Sequence, residues 1–209
     1  MSIRVERSEV HPSGPPPPGR PGASVVRLVG VVLAGGAVGW GVALLSVGGG
    51  QDLTIHAVDM LTSSVYLVGL VGLCVVVALA GAAGAGRGRW LAWAPMALLP
   101  FGVVTNTVAL GYTSYADVPG WMKILDLSWP LSQLAVLVMA VAIARVGRWR
   151  GPLRWLPLGG ALWLVSVMAV RSFAPPMAAA WFFLVWMTAT YGALGALLAA
   201  RPEAARGRC

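Results

Sequence analysis

The residues able to do chemistry are few, and they stand at the edges of long apolar runs. Asp52, His56, Asp59, Ser63 and Tyr66 lie at offsets of 0, 4, 7, 11 and 14. On a helix that spacing places all five on one face. Lys123, Asp126, Pro130 and Gln133 form a shorter version at offsets of 0, 3, 7 and 10. Thr105, Asn106, Thr107, Tyr112 and Tyr115 make a third polar group. A carboxyl partly withdrawn from water can stay protonated and act as a general acid. Aromatic faces stabilise positive charge through the ring quadrupole. An acid beside aromatic walls therefore suits proton-initiated chemistry on a carbon skeleton. Asp59, Asp126 and His56 are the candidate catalytic residues. Tyr66, Asn106, Tyr112, Trp129, Gln133, Trp181, Trp186 and Arg171 are the candidate substrate-binding residues. Each group also has a plainer reading. The first stripe can face water at an interface, Asp126 or Ser128 can cap a helix, and Asn106 can tie helices together.

Elements that would position these residues follow from composition. The chain has 209 residues, 58% of them apolar and 11% charged, with a mean hydropathy of +0.78. Soluble domains are roughly 25% charged. The contrast excludes a soluble globular enzyme and a disordered chain, and predicts an all-α polytopic membrane protein. Six apolar runs are expected to span: Val25–Val47, about Ser64–Ala85, Trp90–Tyr112, Ser128–Val146, Leu153–Val170 and Met177–Ala200. The first run is 23 residues, about 34 Å of helix at 1.5 Å per residue, enough to cross the hydrocarbon. Its length argues against a cleavable signal peptide. The expected organisation is a disordered Pro-rich tail over 1–24, a six-helix transmembrane domain over 25–200, and a short basic tail over 201–209.

All of the 15 basic residues except Lys123 and Arg171 fall on one side of this pattern. The positive-inside rule then places both termini in the cytoplasm of a cell-membrane protein. The net charge of +8 is read as a topology signal, so the lipid bilayer is the expected partner and nucleic acid is not. Gly35 with Gly39, and Ala37 with Gly41, have the small-xxx-small spacing that lets helix backbones approach. Of the ten Trp residues, Trp90, Trp93, Trp149, Trp155, Trp121, Trp129 and Trp181 fit two interfacial belts, while Trp40, Trp163 and Trp186 lie deeper. Cys74 and Cys209 are not expected to form a disulfide. With only His11 and His56, neither a metal site nor a cofactor is expected. No charge falls at the middle of a span, which disfavours an ion-coupled transporter. Motifs for a nucleophilic serine, a phosphate-binding loop or a zinc protease are missing, as is an Asp-rich magnesium cluster.

In size, span count, acids near one membrane face and lack of a metal motif, the chain resembles the small integral-membrane terpene cyclases of meroterpenoid and indole-terpenoid pathways. The resemblance implies cyclisation of an isoprenoid epoxide or alkene, started by a proton near the outer face. The segment Asp126-Leu-Ser-Trp-Pro-Leu131, with a basic loop after its span, also resembles uncharacterised six-span proteins of high-GC bacteria, which implies no function. Two other roles stay open on the residues: a non-catalytic accessory, immunity or regulatory protein, and a facilitator for a small lipophilic solute.

Overall fold

The computed structural model describes residues 21–49, 53–84 and 86–206. Residues 1–20 of the expected tail, Asp52 of the polar stripe and Cys209 lie outside them. The described residues form helices joined by short connections: α1 (Ala23–Ser46), α2 (Ala57–Ala80), α3 (Trp93–Ala109), α4 (Gly120–Asp126), α5 (Ser128–Val146), α6 (Pro152–Ala161), α7 (Trp163–Arg171), α8 (Pro176–Met187), α9 (Ala193–Ala200) and α10 (Pro202–Ala205). Five stretches are long and apolar enough to cross a membrane: α1, α2, Gly88–Ala109, Gly120–Val146 and Pro176–Ala200. The pair α6–α7 makes a sixth when taken as one span, but it bends by 44°. The multi-pass architecture expected from the apolar runs is therefore present.

Local sequence explains the ends and the breaks. Gly81 and Gly147 close α2 and α5 in the left-handed conformation, at φ of 61° and 67°, which suits a residue without Cβ. Pro152 and Pro176 begin α6 and α8, where a missing N–H costs nothing. The bend between α6 and α7 follows Pro157 and the pair Gly159–Gly160, the usual causes of a sharp kink. Trp186 Nε1 donates to the Gly159 carbonyl at 3.0 Å, just before the break. The last span is interrupted by a π-helical segment over Thr188–Gly192.

α1 lies at the centre and packs on α2, α8 and α9. A Cβ on Gly36 would sit 2.5 Å from the Tyr66 nitrogen, and one on Gly69 would sit 2.6 Å from the Leu33 Cα. These two glycines let α1 and α2 pack backbone to backbone, the contact that replaces a hydrophobic drive in lipid. Gly35 meets nothing within 4 Å and Gly39 meets only Thr62 at 3.8 Å. The close-packed seam is thus one residue away from the Gly35–Gly39 pair that spacing alone picks out.

The start of α1 and the end of α9 pack together, so both described chain ends lie at one end of the bundle. Basic side chains bind carbonyls there: Arg148 Nη1 donates to Gly81 O at 3.1 Å and Arg154 Nε to Ala144 O at 2.7 Å. Trp149, assigned to the interfacial belt, is buried instead and donates to Ala205 O at 3.0 Å. That bond and the burial of Pro202 and Ala205 fold α10 onto the bundle, within the stretch expected as a short basic tail.

The opposite end carries the two longer connections. Ile55 N donates to Thr113 O at 3.0 Å and Tyr115 N to Leu53 O at 2.8 Å. They flank an antiparallel bridge between Thr54 and Ser114. His56 is the extended residue that precedes α2, so the helix begins after it and the stripe from Asp52 to Tyr66 is not one helical face.

Candidate functional site

Between α1, α2, α5, α7 and α8, at the end with the bridge, lies a cavity of about 630 Å³. Its floor is a cluster of aromatic rings. Trp40 is the hub, 5.3 Å from Trp163, 4.8 Å from Phe183 and 6.5 Å from Trp129 between ring centroids, each edge to face. Trp163 also meets Trp129 at 5.5 Å and Phe183 at 5.3 Å. Edge-to-face packing at such distances fixes the rings against one another. Gln133, 2% exposed, accepts from Trp163 Nε1 at 3.1 Å and sets the orientation of that indole.

Asp59, in the first turn of α2, stands on the cavity wall. Trp40 Nε1 donates to Asp59 Oδ1 at 2.8 Å, so the same indole forms the floor and holds the acid. Ser63 Oγ donates to the Asp59 carbonyl at 2.7 Å, and Asn106 Nδ2 donates to Ser63 Oγ at 2.9 Å. Asn106 thus ties α3 to the turn that carries Asp59. His56 lines the same wall, and its carbonyl accepts from Asp59 N at 3.0 Å. Across the cavity, Arg171 ends α7 and donates through Nη2 to Gly49 O at 2.8 Å.

Tyr115 reaches the rim from the second long connection. Its hydroxyl donates to Asp126 Oδ2 at 2.9 Å, and Thr105 Oγ1 approaches Asp126 Oδ1 at 3.5 Å. Burial, and then the Asp126 carboxylate that accepts its proton and repels a phenolate, push the Tyr115 hydroxyl up to about 12. Lys123 Nζ lies 5.6 Å from the Tyr115 ring centre and donates to Ala116 O at 3.2 Å.

The structure therefore brings together four of the residues singled out from sequence, Asp59, His56, Trp129 and Arg171, around one cavity. Asp126 stands behind Tyr115 rather than on the cavity wall. Tyr66 is fully buried beneath the floor, stacked on Trp40 at 5.3 Å. Asn106 and Gln133 act through Ser63 and Trp163. Tyr112 packs in a small separate cluster with Val118 and Met122. Trp181 is 55% exposed on the outside of α8, and Trp186 packs on Phe182. Tyr115, Trp40, Trp163 and Phe183 complete the site. The two tryptophans were marked by their depth within spans, whereas Phe183 carries no signal of its own in the sequence. Among the described residues no three His, Cys, Asp or Glu side chains converge.

The arrangement offers one carboxyl, one imidazole, one guanidinium and one phenol around an apolar chamber with an aromatic floor. It can hold a hydrophobic molecule and meet charge on it with a fixed acid and ring faces. No family model, no curated protein and no solved structure matches this chain.

Proposed function

We propose that the cavity is a lipid-phase active site for proton-initiated cyclisation of an isoprenoid epoxide or alkene. One observation carries the reading: Asp59 is held by an indole N–H at 2.8 Å on the wall of an apolar chamber whose floor is four packed aromatic rings. In this mechanism the protonated Asp59 carboxyl gives its proton to the epoxide oxygen or the terminal alkene. The C–O bond opens, or the π bond takes the proton, and a carbon cation forms. Further double bonds of the chain attack it and close the rings. Ring faces supplied by Trp40, Trp129, Trp163 and Phe183 stabilise the moving charge. The last cation loses a proton to the Asp59 carboxylate or to His56, so the product is an isomer of the substrate. In the proposed topology both chain ends are cytoplasmic and the cavity opens in the opposite leaflet, as the distribution of arginines suggests.

The experiment is product analysis of cells that express the full chain with plain and epoxidised prenylated aromatic substrates. A new isomeric, cyclised product is expected. Asp59→Asn should lower its formation by about 10²- to 10⁴-fold, the usual contribution of a general acid. Asp126→Asn, which acts only through Tyr115, should lower it far less. Absence of product with well-inserted wild-type protein, or equal loss in both variants, would refute the assignment. Absence of product would leave the cavity as the binding site of a non-catalytic membrane protein.

A further inference from the structure

The cavity has a roof and a side, and they differ. The roof is the bridged pair of connections, where Leu53, Thr54, Ile55 and Tyr115 line the chamber. Its strands are pinned to each other by two backbone hydrogen bonds. A third anchor is the Tyr115 hydroxyl on Asp126, and Arg171 holds the connection that leaves α1 at Gly49. The side lies between α5 and α7. Because the chain bends by 44° at the end of α6, α7 leans onto α8 and leaves the chamber between itself and α5. Pro130 of α5 and Met168 of α7 both line the chamber and are both exposed, Met168 at 49%. Pro130 belongs to a stretch long and apolar enough to cross a membrane and Met168 to the bent α6–α7 pair that does so when taken as one span, and exposed Leu131, Leu134 and Val165 lie beside them. In a bilayer that surface meets acyl chains, not water.

We propose that the ligand enters sideways, from the leaflet at the cavity end, through the gap between Pro130 and Met168, while the bridged roof stays shut. This identifies the ligand class as a molecule dissolved in the bilayer, with a flexible apolar chain narrow enough to thread between two helices. It rests on the reading that the cavity takes an isoprenoid, but not on any reaction there. The bend in α6–α7 is then the feature that makes the gate.

The test uses the full chain in phosphatidylcholine vesicles and a farnesyl alcohol bearing a photoreactive diazirine. The rate and the final yield of labelling at the peptides of Trp129, Trp163 and Phe183 are read by mass spectrometry. Two variants are compared in a Cys209→Ser background. Thr54→Cys with Ser114→Cys locks the roof. The bridge is a non-hydrogen-bonded antiparallel pair, whose Cα atoms stand about 4.5 Å apart, within reach of a disulfide. Met168→Trp narrows the gap, and Val185→Trp on the outer face of α8 is its control. The locked roof should label at the same rate oxidised and reduced. Met168→Trp should label about tenfold more slowly at unchanged final yield, as about 1.4 kcal/mol of added barrier gives. Slower labelling of the oxidised pair that reduction restores would overturn the route, as would a lower final yield at unchanged rate in Met168→Trp. Absence of labelling in every protein would overturn it too. Labelling needs no turnover, so failure of the cyclisation reading is recorded separately, by the product assay.

Discussion

Replacing Trp40 by Phe isolates the contact on which the site depends. The indole donates to Asp59 Oδ1 at 2.8 Å and packs against Tyr66, Trp163 and Phe183. Phe keeps a ring in that cluster and removes only the donor and part of the area. At alkaline pH, where the Asp59 carboxyl has given up its proton, the indole bond is one to a charged group and contributes about 1.5–3 kcal/mol, and the lost ring volume adds about 1 kcal/mol. Trp40→Phe should therefore cost about 3 kcal/mol. Asp59→Asn keeps an acceptor oxygen for the indole but makes the bond a neutral one, and should cost about 1 kcal/mol. In the Asp59→Asn background the Trp40 substitution removes only that weaker bond, so the double variant should be about 1 kcal/mol better than the sum of the singles. That coupling is about fivefold in the ratio of folded to unfolded protein. Equilibrium unfolding of the four proteins in mixed micelles at alkaline pH, followed by helical circular dichroism, gives the number. Coupling below about 0.3 kcal/mol would mean the two residues act independently, and the argument that Trp40 holds the acid would be wrong.

Other substitutions probe the frame. Gly36→Ala puts a Cβ 2.5 Å from the Tyr66 nitrogen while Gly35→Ala meets open space; the first should cost about 1–3 kcal/mol and the second nothing measurable, in the same unfolding assay. Gly160→Ala places a methyl 2.7 Å from the Tyr191 ring and should destabilise by a similar amount, with Tyr191→Ala giving partial rescue because the two share one space. Tyr115 is raised to about 12, so neutral Tyr115 stabilises the roof below the ordinary tyrosine range, and that contribution fades as the pH climbs toward its folded value. The phenolate absorbance of Tyr115, read as the difference between the wild type and Tyr115→Phe, should accordingly rise late, and Asp126→Asn should bring it back toward the ordinary range.

Much of the architecture was legible in the sequence because lipid imposes a simple rule on each span. A backbone without water must bond to itself, so long apolar runs become helices wherever they stand. What escaped the reading came from contacts between distant segments. The stripe from Asp52 to Tyr66 was read with a helical period, yet residues 53–55 pair with 113–115 across the bundle, and nothing local announces a bridge between two loops. Asn106 reads in the sequence as an amide able to tie helices together, and Gln133 as a polar member of the stripe that begins at Lys123. Their partners, Ser63 and Trp163, depended on helix rotation. The same holds for Trp129 and Trp149. Both fit an interfacial belt by position, yet Trp129 lines the cavity and Trp149 is buried.

The π-helical segment at Thr188–Gly192 has a consequence for how the last span can vary. Such a segment is an α-helix carrying one additional residue, and each residue turns a helix by about 100°. Below the insertion, Leu194, Gly195 and Leu198 are phased to meet α1. Above it, Ala179, Ala180 and Phe183 are phased to meet the chamber. The insertion therefore works as a phase shifter between two surfaces that obey different requirements. Removing one residue there would regularise the helix and swing one half out of register with its partners while leaving the other in place. The chamber half can thus drift in sequence, as its contents demand, without disturbing the seam that holds the bundle shut at its far end.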